Sequence, residues 1–125
     1  MKEQNSSNLS GSENKQDSDR RISYLKKVFL SDLSFNWSLN EMTKRVNISI
    51  SHLNRLFKAE TGLSPLQFLR EMRLDEAANL LKSSFLSVKE IRVSTGLRDK
   101  STFIKDFKKK YGMTPSDYRK SDRIA

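Results

Sequence analysis

Apolar residues recur every three or four positions from Arg20 onward, which is the spacing that places side chains on one face of a helix. Ile22, Leu25 and Phe29 predict a first amphipathic helix that ends near Ser31. The same period continues through the rest of the chain. The predicted fold class is therefore all-α, with about seven helices.

Helix boundaries are marked by residues that satisfy the free backbone groups at helix ends. Ser38 followed by Glu41, and Ser87 followed by Glu90, have the spacing of a capping box. Three glycines are expected to stop helices, because glycine tolerates the left-handed conformation of many helix ends. These are Gly62, Gly96 and Gly112.

The two halves of this helical region repeat each other at an offset of 50 residues. Phe57 aligns with Phe107, and Phe68 aligns with Tyr118. Each repeat predicts a short helix, a tight turn, a second helix and a glycine stop, which is the helix-turn-helix plan. The predicted segments are a first helix-turn-helix unit at about 38–62, a linker helix at about 65–82, a second unit at about 87–112 and a final helix at about 115–120.

The second helix of a helix-turn-helix unit enters the major groove of DNA. In the first unit, Ile50, Leu53, Leu56 and Phe57 are predicted to face the core, so the polar side chains between them face outward. Arg suits guanine, Asn suits adenine and the methyl group of Thr suits thymine. The predicted base-reading residues are Ser51, Asn54, Arg55, Lys100, Ser101, Thr102 and Lys105.

Phosphate contacts are predicted from cations beside these helices and from one helix cap. The residues are Ser49, Lys58, Arg98, Lys108 and Lys109. Ser49 is a cap first, and a phosphate contact would be a second use of the same helix N-terminus. The run 108–110 is typical of a solvated face, so we expect phosphate attraction at most, above all from Lys108. His52 is interpreted as a packing or capping histidine rather than a phosphate contact.

The charge distribution supports a polyanionic partner. The chain carries 24 Lys and Arg against 15 Asp and Glu, a net charge of +9. Residues 1–19 hold two basic and four acidic residues, which leaves +11 for residues 20–125. This first segment has one large apolar residue after Met1, so we predict a disordered polar tail at 1–19 and a folded domain at 20–125.

Composition also argues against several functions. The chain has no cysteine and one histidine, so neither a metal site nor a cofactor is expected, and no paired acids or nucleophile relay indicate an enzyme. No segment is long and apolar enough to predict a membrane span. An RNA reader is disfavoured because the outward faces lack aromatic residues; Phe35 and Trp37 are interpreted as core closure. A basic helical module that binds an acidic protein partner remains the alternative function.

Two stretches of the sequence resemble the DNA-binding domain of the AraC/XylS family of transcription regulators. They are HLNRLFKAETGLSPLQFLREMRLDEAANLL and GLRDKSTFIKDFKKKYGMTPSDYR, and the match covers about Ile22 to Arg119. The resemblance implies two helix-turn-helix units joined by one long helix and bound to adjacent major-groove segments of double-stranded DNA. It also implies an activator or repressor in the bacterial cytoplasm, at the nucleoid, with RNA polymerase as a further candidate partner.

The resemblance also bears on assembly. Many members carry a separate ligand-sensing domain, for which 125 residues leave no room, so we expect either a stand-alone member or a DNA-binding fragment of a longer regulator. Two reading helices in one chain predict a monomer on DNA, unless a missing domain dimerises it.

Three residues depart from the family pattern. Thr43 and Arg92 stand where the family usually has Ala, and Leu97 stands where it usually has Phe. Arg92 is the more awkward change, because its position is normally packed. It is expected to bury its aliphatic stem and keep its charged head in water.

Overall fold

The computed structural model describes residues 19–121, and this part of the chain folds into seven α-helices without a strand. The helices are α1 (Arg20–Ser31), α2 (Leu39–Val46), α3 (Ile50–Thr61), α4 (Pro65–Ser83), α5 (Val88–Ser94), α6 (Lys100–Tyr111) and α7 (Pro115–Ser121). The predicted all-α class is confirmed. The predicted tail lies outside the described residues except for Asp19, whose carboxylate caps α1 by accepting from the backbone N–H of Arg21.

Helix ends lie where the capping residues predict them. At the start of α4, Ser64 and Gln67 form a complete capping box, and Ser87 and Glu90 form another at the start of α5. The predicted box at the start of α2 is only half formed. The Ser38 hydroxyl accepts from the N–H of Glu41, but the Glu41 carboxylate lies 3.9 Å from the Lys44 ammonium instead of returning to the cap.

Two hydrophobic clusters form the core, and α4 contributes to both. The first cluster joins α1, α2 and α3 to Leu69 near the start of α4. The second joins α5 and α6 to Leu74, Ala77 and Leu81 farther along the same helix. With 19 residues, α4 is about 28 Å long. It therefore acts as a shared strut, and each helix-turn-helix unit is packed against one of its ends.

The first cluster is closed by Trp37, which lies in the loop between α1 and α2. Its indole N–H donates to the carbonyl of Asp32 at 3.0 Å, and its ring meets Phe29 edge-on with centroids 5.3 Å apart. The predicted closing role is confirmed for Trp37. Phe35 meets the Trp37 ring with centroids 4.7 Å apart, but it remains 37% exposed and is not part of the buried core, so the predicted closing role is wrong for Phe35.

Candidate nucleic-acid interface

The first candidate reading surface is the outer face of α3. Ser49 caps this helix by accepting from the backbone N–H of His52 at 3.1 Å. Leu53 and Phe57 are fully buried, and this fixes the rotation of the helix. The residues predicted to face outward are all exposed, namely Ser51, Asn54, Arg55 and Lys58. Their exposure is confirmed, whereas their roles toward DNA stay predictions.

Ile50 does not face the core as predicted, and that prediction is wrong. Its side chain is 40% exposed. Ile50 is the first residue of α3, directly after the Ser49 cap, so it lies beyond the edge of the cluster that Leu53 and Phe57 enter one turn later. An apolar side chain therefore stands beside Ser51 at the end of the helix expected to meet base edges, where a thymine methyl group is a suitable contact.

The second candidate reading surface is the outer face of α6. Asp99 caps this helix, and its carboxylate accepts from the backbone N–H of Thr102 at 2.8 Å. Hydrogen bonds from Thr102 lower the pKa of the Asp99 carboxyl, so the cap is anionic at neutral pH. Phe103 and Phe107 are buried. The predicted outward residues are exposed, namely Lys100, Ser101, Thr102, Lys105, Lys108 and Lys109.

Most of the positive charge on these faces has no acidic partner among the described residues. Within residues 19–121, no carboxylate pairs with Lys58 or with the four lysines of α6 that remain when Lys110 is set aside. Arg55 makes a weak contact along its own helix, with its Nη1 atom 3.5 Å from the Ser51 hydroxyl oxygen. Both faces can therefore offer their cations to a polyanion without first breaking an internal ion pair.

Lys110 differs from the two lysines before it. Its ammonium lies 2.6 Å from carboxylate oxygens of both Glu71 and Asp75 on α4. Burial acts to lower the pKa of Lys110, but the hydrogen bonds that its ammonium donates to these two carboxylates, with their negative charges, outweigh it and the net shift is upward. The lysine run is thus divided: Lys110 holds α6 against α4, whereas Lys108 and Lys109 extend outward.

Arg98 has a contact that the sequence did not predict. One edge of its guanidinium donates to the carbonyl oxygen of Ser34, 64 residues earlier, at 2.7 Å. The side chain is otherwise exposed. Because an arginine carries five N–H donors, a phosphate contact by the other edge is compatible with this bond.

The guanidinium of Arg92 binds backbone carbonyls of the protein and is not simply hydrated. Its Nη1 atom donates to the carbonyls of Leu97, at 3.4 Å, and of Arg98. The side chain is half-buried, as expected, but its head binds the turn between α5 and α6. Sequence reasoning missed this role, although an arginine one turn before a helix-ending glycine is a signal for carbonyl capping.

Other kinds of site are not indicated in the described part of the chain. Between residues 19 and 121, no group of three His, Asp or Glu side chains is arranged to hold a metal ion. No helix in the same range combines the length and hydropathy that a membrane span requires.

The fold and these faces define a protein with two helix-turn-helix units, and comparison with known proteins identifies the family. A family model described as "Helix-turn-helix domain" matches residues 42–121. The chain belongs to the AraC-type helix-turn-helix family of DNA-binding transcription regulators. Regulators of this family are not enzymes.

Curated relatives are longer than this chain. It is 35% identical over 102 residues to the HTH-type transcriptional regulator MtrA of Neisseria gonorrhoeae, which covers 82% of the chain and 34% of that relative. It is 32% identical over 99 residues to the Msm operon regulatory protein of Streptococcus mutans, which covers 79% of the chain and 36% of that protein. The chain thus spans about a third of the length of these relatives.

Solved structures match the whole double unit. The DNA-binding domain of the global transcriptional factor AdpA, in complex with a target DNA, superposes with a TM-score of 0.78 at 27% identity over 83% of this chain and 94% of that one. The C-terminal domain of AraT, a response regulator from Geobacillus stearothermophilus, gives a TM-score of 0.77 at 27% identity over 84% of this chain and 88% of that one. The predicted architecture of two units on one linker helix is confirmed.

Proposed function

We propose that this chain binds double-stranded DNA by inserting α3 and α6 into adjacent major-groove segments on one face of the duplex. The observation that carries the proposal is the repetition of the same arrangement at both ends of α4. Each unit presents a capped helix in which two buried apolar residues, Leu53 and Phe57 in α3 and Phe103 and Phe107 in α6, orient a row of exposed, polar or basic side chains. Two such faces on one strut of about 28 Å suit successive groove segments, about 34 Å apart.

Base reading is assigned to the N-terminal halves of the two helices. In α3 these are Ser51, Asn54 and Arg55, together with the exposed Ile50. In α6 they are Lys100, Ser101, Thr102 and Lys105. Donors and acceptors of these types read base edges, whereas cations farther along each helix meet the sugar–phosphate backbone and set the register. The proposed phosphate contacts are Ser49, Lys58, Arg98, Lys108 and Lys109.

Membership of this family supports a proposal for the biological setting. We place the chain in the bacterial cytoplasm, at the nucleoid, as a regulator that works without catalysis and meets RNA polymerase at promoters. Two different readers in one chain make a two-fold partner unnecessary, so the chain binds as a monomer unless another domain of a longer regulator dimerises it.

Selection of bound sequences from a random duplex pool tests the proposal. We expect recovery of a site with two unlike halves in one preferred spacing. On random duplex, affinity should fall steeply with salt, because neutralising about six phosphates gives a slope of roughly −5 for log K against log salt concentration. A flat salt dependence would contradict DNA binding and favour an acidic protein partner.

A further inference from the structure

The loop between α1 and α2 is bonded to the second unit as well as to the linker helix. Three successive carbonyls of this loop accept hydrogen bonds from two arginines. Arg73 of α4 donates through Nε to Leu33 at 2.9 Å and through Nη2 to Phe35 at 2.8 Å. Arg98, in the turn before α6, donates to the carbonyl between them, that of Ser34, at 2.7 Å. The loop packs into the core of the first unit through Leu33 and Trp37, so the first unit, the strut and the second unit meet in one place.

Gly96 lies at the centre of this contact. A Cβ atom on Gly96 would lie 2.5 Å from the Leu33 carbonyl oxygen and 2.8 Å from Arg73 Nε. Gly62 and Gly112 have the same positive φ of 80°, but a Cβ there would meet nothing within 4 Å. The positive φ alone explains the glycines at positions 62 and 112. At position 96, glycine is also required because the backbone of the first unit's loop comes too close for a side chain.

The turn that carries Arg98 is itself held in place. Arg92 donates to the carbonyls of Leu97 and Arg98, so the backbone from which the Arg98 side chain extends is tied to α5. Desolvation, followed by the nearby charges of Arg98 and Arg70, lowers the pKa of Arg73. Guanidinium groups of like charge are brought together here, and the loop carbonyls supply the acceptors that offset their repulsion.

The contact between the loop and the second unit restrains the orientation of the two units in a way that α4 alone does not. Each unit packs on a different part of α4, so a bend of α4 between Leu69 and Leu74 would tilt one unit against the other. A tie from the first unit's loop to the second unit's turn lies away from the helix axis and resists that tilt. The surface pair of Arg70 and Asp106, 3.2 Å apart, adds a weaker tie between α4 and α6.

We propose that Arg73, Gly96 and Arg98, closed on the carbonyls of residues 33–35, form a clamp that fixes the relative orientation of α3 and α6. These are positioning residues: they set which half-site spacing the protein accepts. The effect on half-site spacing rests on the proposed DNA-binding function, whereas the fixed orientation is a property of the free protein.

The orientation can be measured without DNA. Because the chain has no cysteine, nitroxide labels introduced at Ser51→Cys and Ser101→Cys report the distance between the two reading helices by double electron–electron resonance. With the native clamp we expect one narrow distance peak. Gly96→Ala and Arg98→Ala should each lose that peak to a broad or shifted distribution, while far-ultraviolet circular dichroism shows that the helices remain.

Gly112→Ala is the matched control, because it imposes the same positive-φ strain in the same unit without a clash. It should keep the narrow peak. The proposal is overturned if Arg98→Ala keeps the native peak, or if Gly112→Ala broadens it as much as Gly96→Ala does. Should Gly96→Ala unfold the protein, the exposed Arg98→Ala variant decides the matter.

Sequence selection on duplex DNA then tests the consequence for spacing. Gly96→Ala should recover the same two half-sites as the native chain, but spread over several spacings, and the Gly112→Ala control should recover the native spacing alone. An unchanged single spacing in Gly96→Ala would overturn the spacing role. Failure of the native chain to bind duplex DNA would instead refute the proposed function. The distance measurement on the free protein would still test whether the clamp fixes the orientation of α3 and α6.

Discussion

The two helix-turn-helix units share one plan but close their turns in different ways. In the first unit, Asn47 makes the turn in the left-handed conformation, and its N–H donates to Thr43 within the same helix pair. In the second unit, Gly96 is buried against the first unit's loop, and Arg98 bonds to that loop. The first turn is thus stabilised locally, whereas the second turn takes part in the contact between the two units.

This difference shows that two turns with the same sequence pattern need not make the same contribution to the structure. Asn47 can serve the first turn because a short polar residue tolerates the left-handed region. The second turn has no space for a side chain at Gly96. Equivalent positions in the two units should therefore respond differently to substitution wherever they touch the contact between the units, and alike wherever they lie in the cores.

The largest expected effect tests the likeness of the cores. Phe57 and Phe107 are fully buried at equivalent positions, each between other aromatic rings. Phe57→Ala and Phe107→Ala should each lower the free energy of unfolding by about 3–5 kcal/mol, because each leaves a cavity. Urea unfolding followed by circular dichroism measures both. A loss in one unit that is several-fold smaller than in the other would break the comparison.

The next largest effect tests the proposed division between residues that read bases and residues that contact phosphates. Arg55→Ala should weaken binding to the selected site by about 1–3 kcal/mol and relax the preference at one base pair. Lys108→Ala should weaken binding to every duplex about equally, because it removes a phosphate contact. Competition titrations against single-base variants of the site separate the two patterns. Equal behaviour of the two variants would make Arg55 a phosphate contact.

A smaller effect tests the position at which both units depart from the family pattern. Arg92→Ala removes the donor to two carbonyls and should lower stability by about 1 kcal/mol. Thr43→Ala should change stability little, because the Thr43 hydroxyl donates only to Asn40 of its own helix and alanine favours the helix. Urea unfolding compares the pair, and a loss for Thr43→Ala equal to that for Arg92→Ala would contradict the assigned role.

The smallest effect distinguishes the caps of the two reading helices. Asp99 caps α6 with a carboxylate whose pKa is lowered in the folded protein. The cap therefore stabilises the protein fully above the pKa of the unfolded chain, about 3.9. This stabilisation is lost as the pH falls through the lower pKa of the folded protein. Ser49 caps α3 with a hydroxyl and should not respond. The Thr102 amide resonance should shift in acid while that of His52 stays unchanged in the same range. Parallel shifts of both would point to general acid unfolding.

Local features of the fold could be predicted from the sequence, and distant contacts could not. The start of α5 depends on Ser87 and Glu90, which are three positions apart, so pattern and spacing were sufficient there. Ile50 was misplaced because periodicity does not show where a cluster ends along a helix. The bond from Arg98 to Ser34 joins residues 64 positions apart, and no local rule connects them.

The same division applies to the candidate interface. Exposure of the predicted reading residues follows from the rotation of α3 and α6, which their buried apolar residues determine. Within the lysine run, Lys110 could not be distinguished in advance from Lys108 and Lys109. Its distinction depends on the carboxylates of α4 that come to face it only in the folded chain.

The serial order of the two units along α4 gives the molecule a head and a tail. The two units follow one another along the chain and carry unlike reading faces, so they are not interchangeable. A site read in this way has a direction, and the reversed site is a different sequence. A bound chain would therefore point toward one neighbouring stretch of DNA, and inverting its site would turn any surface beyond the reading helices to the opposite side.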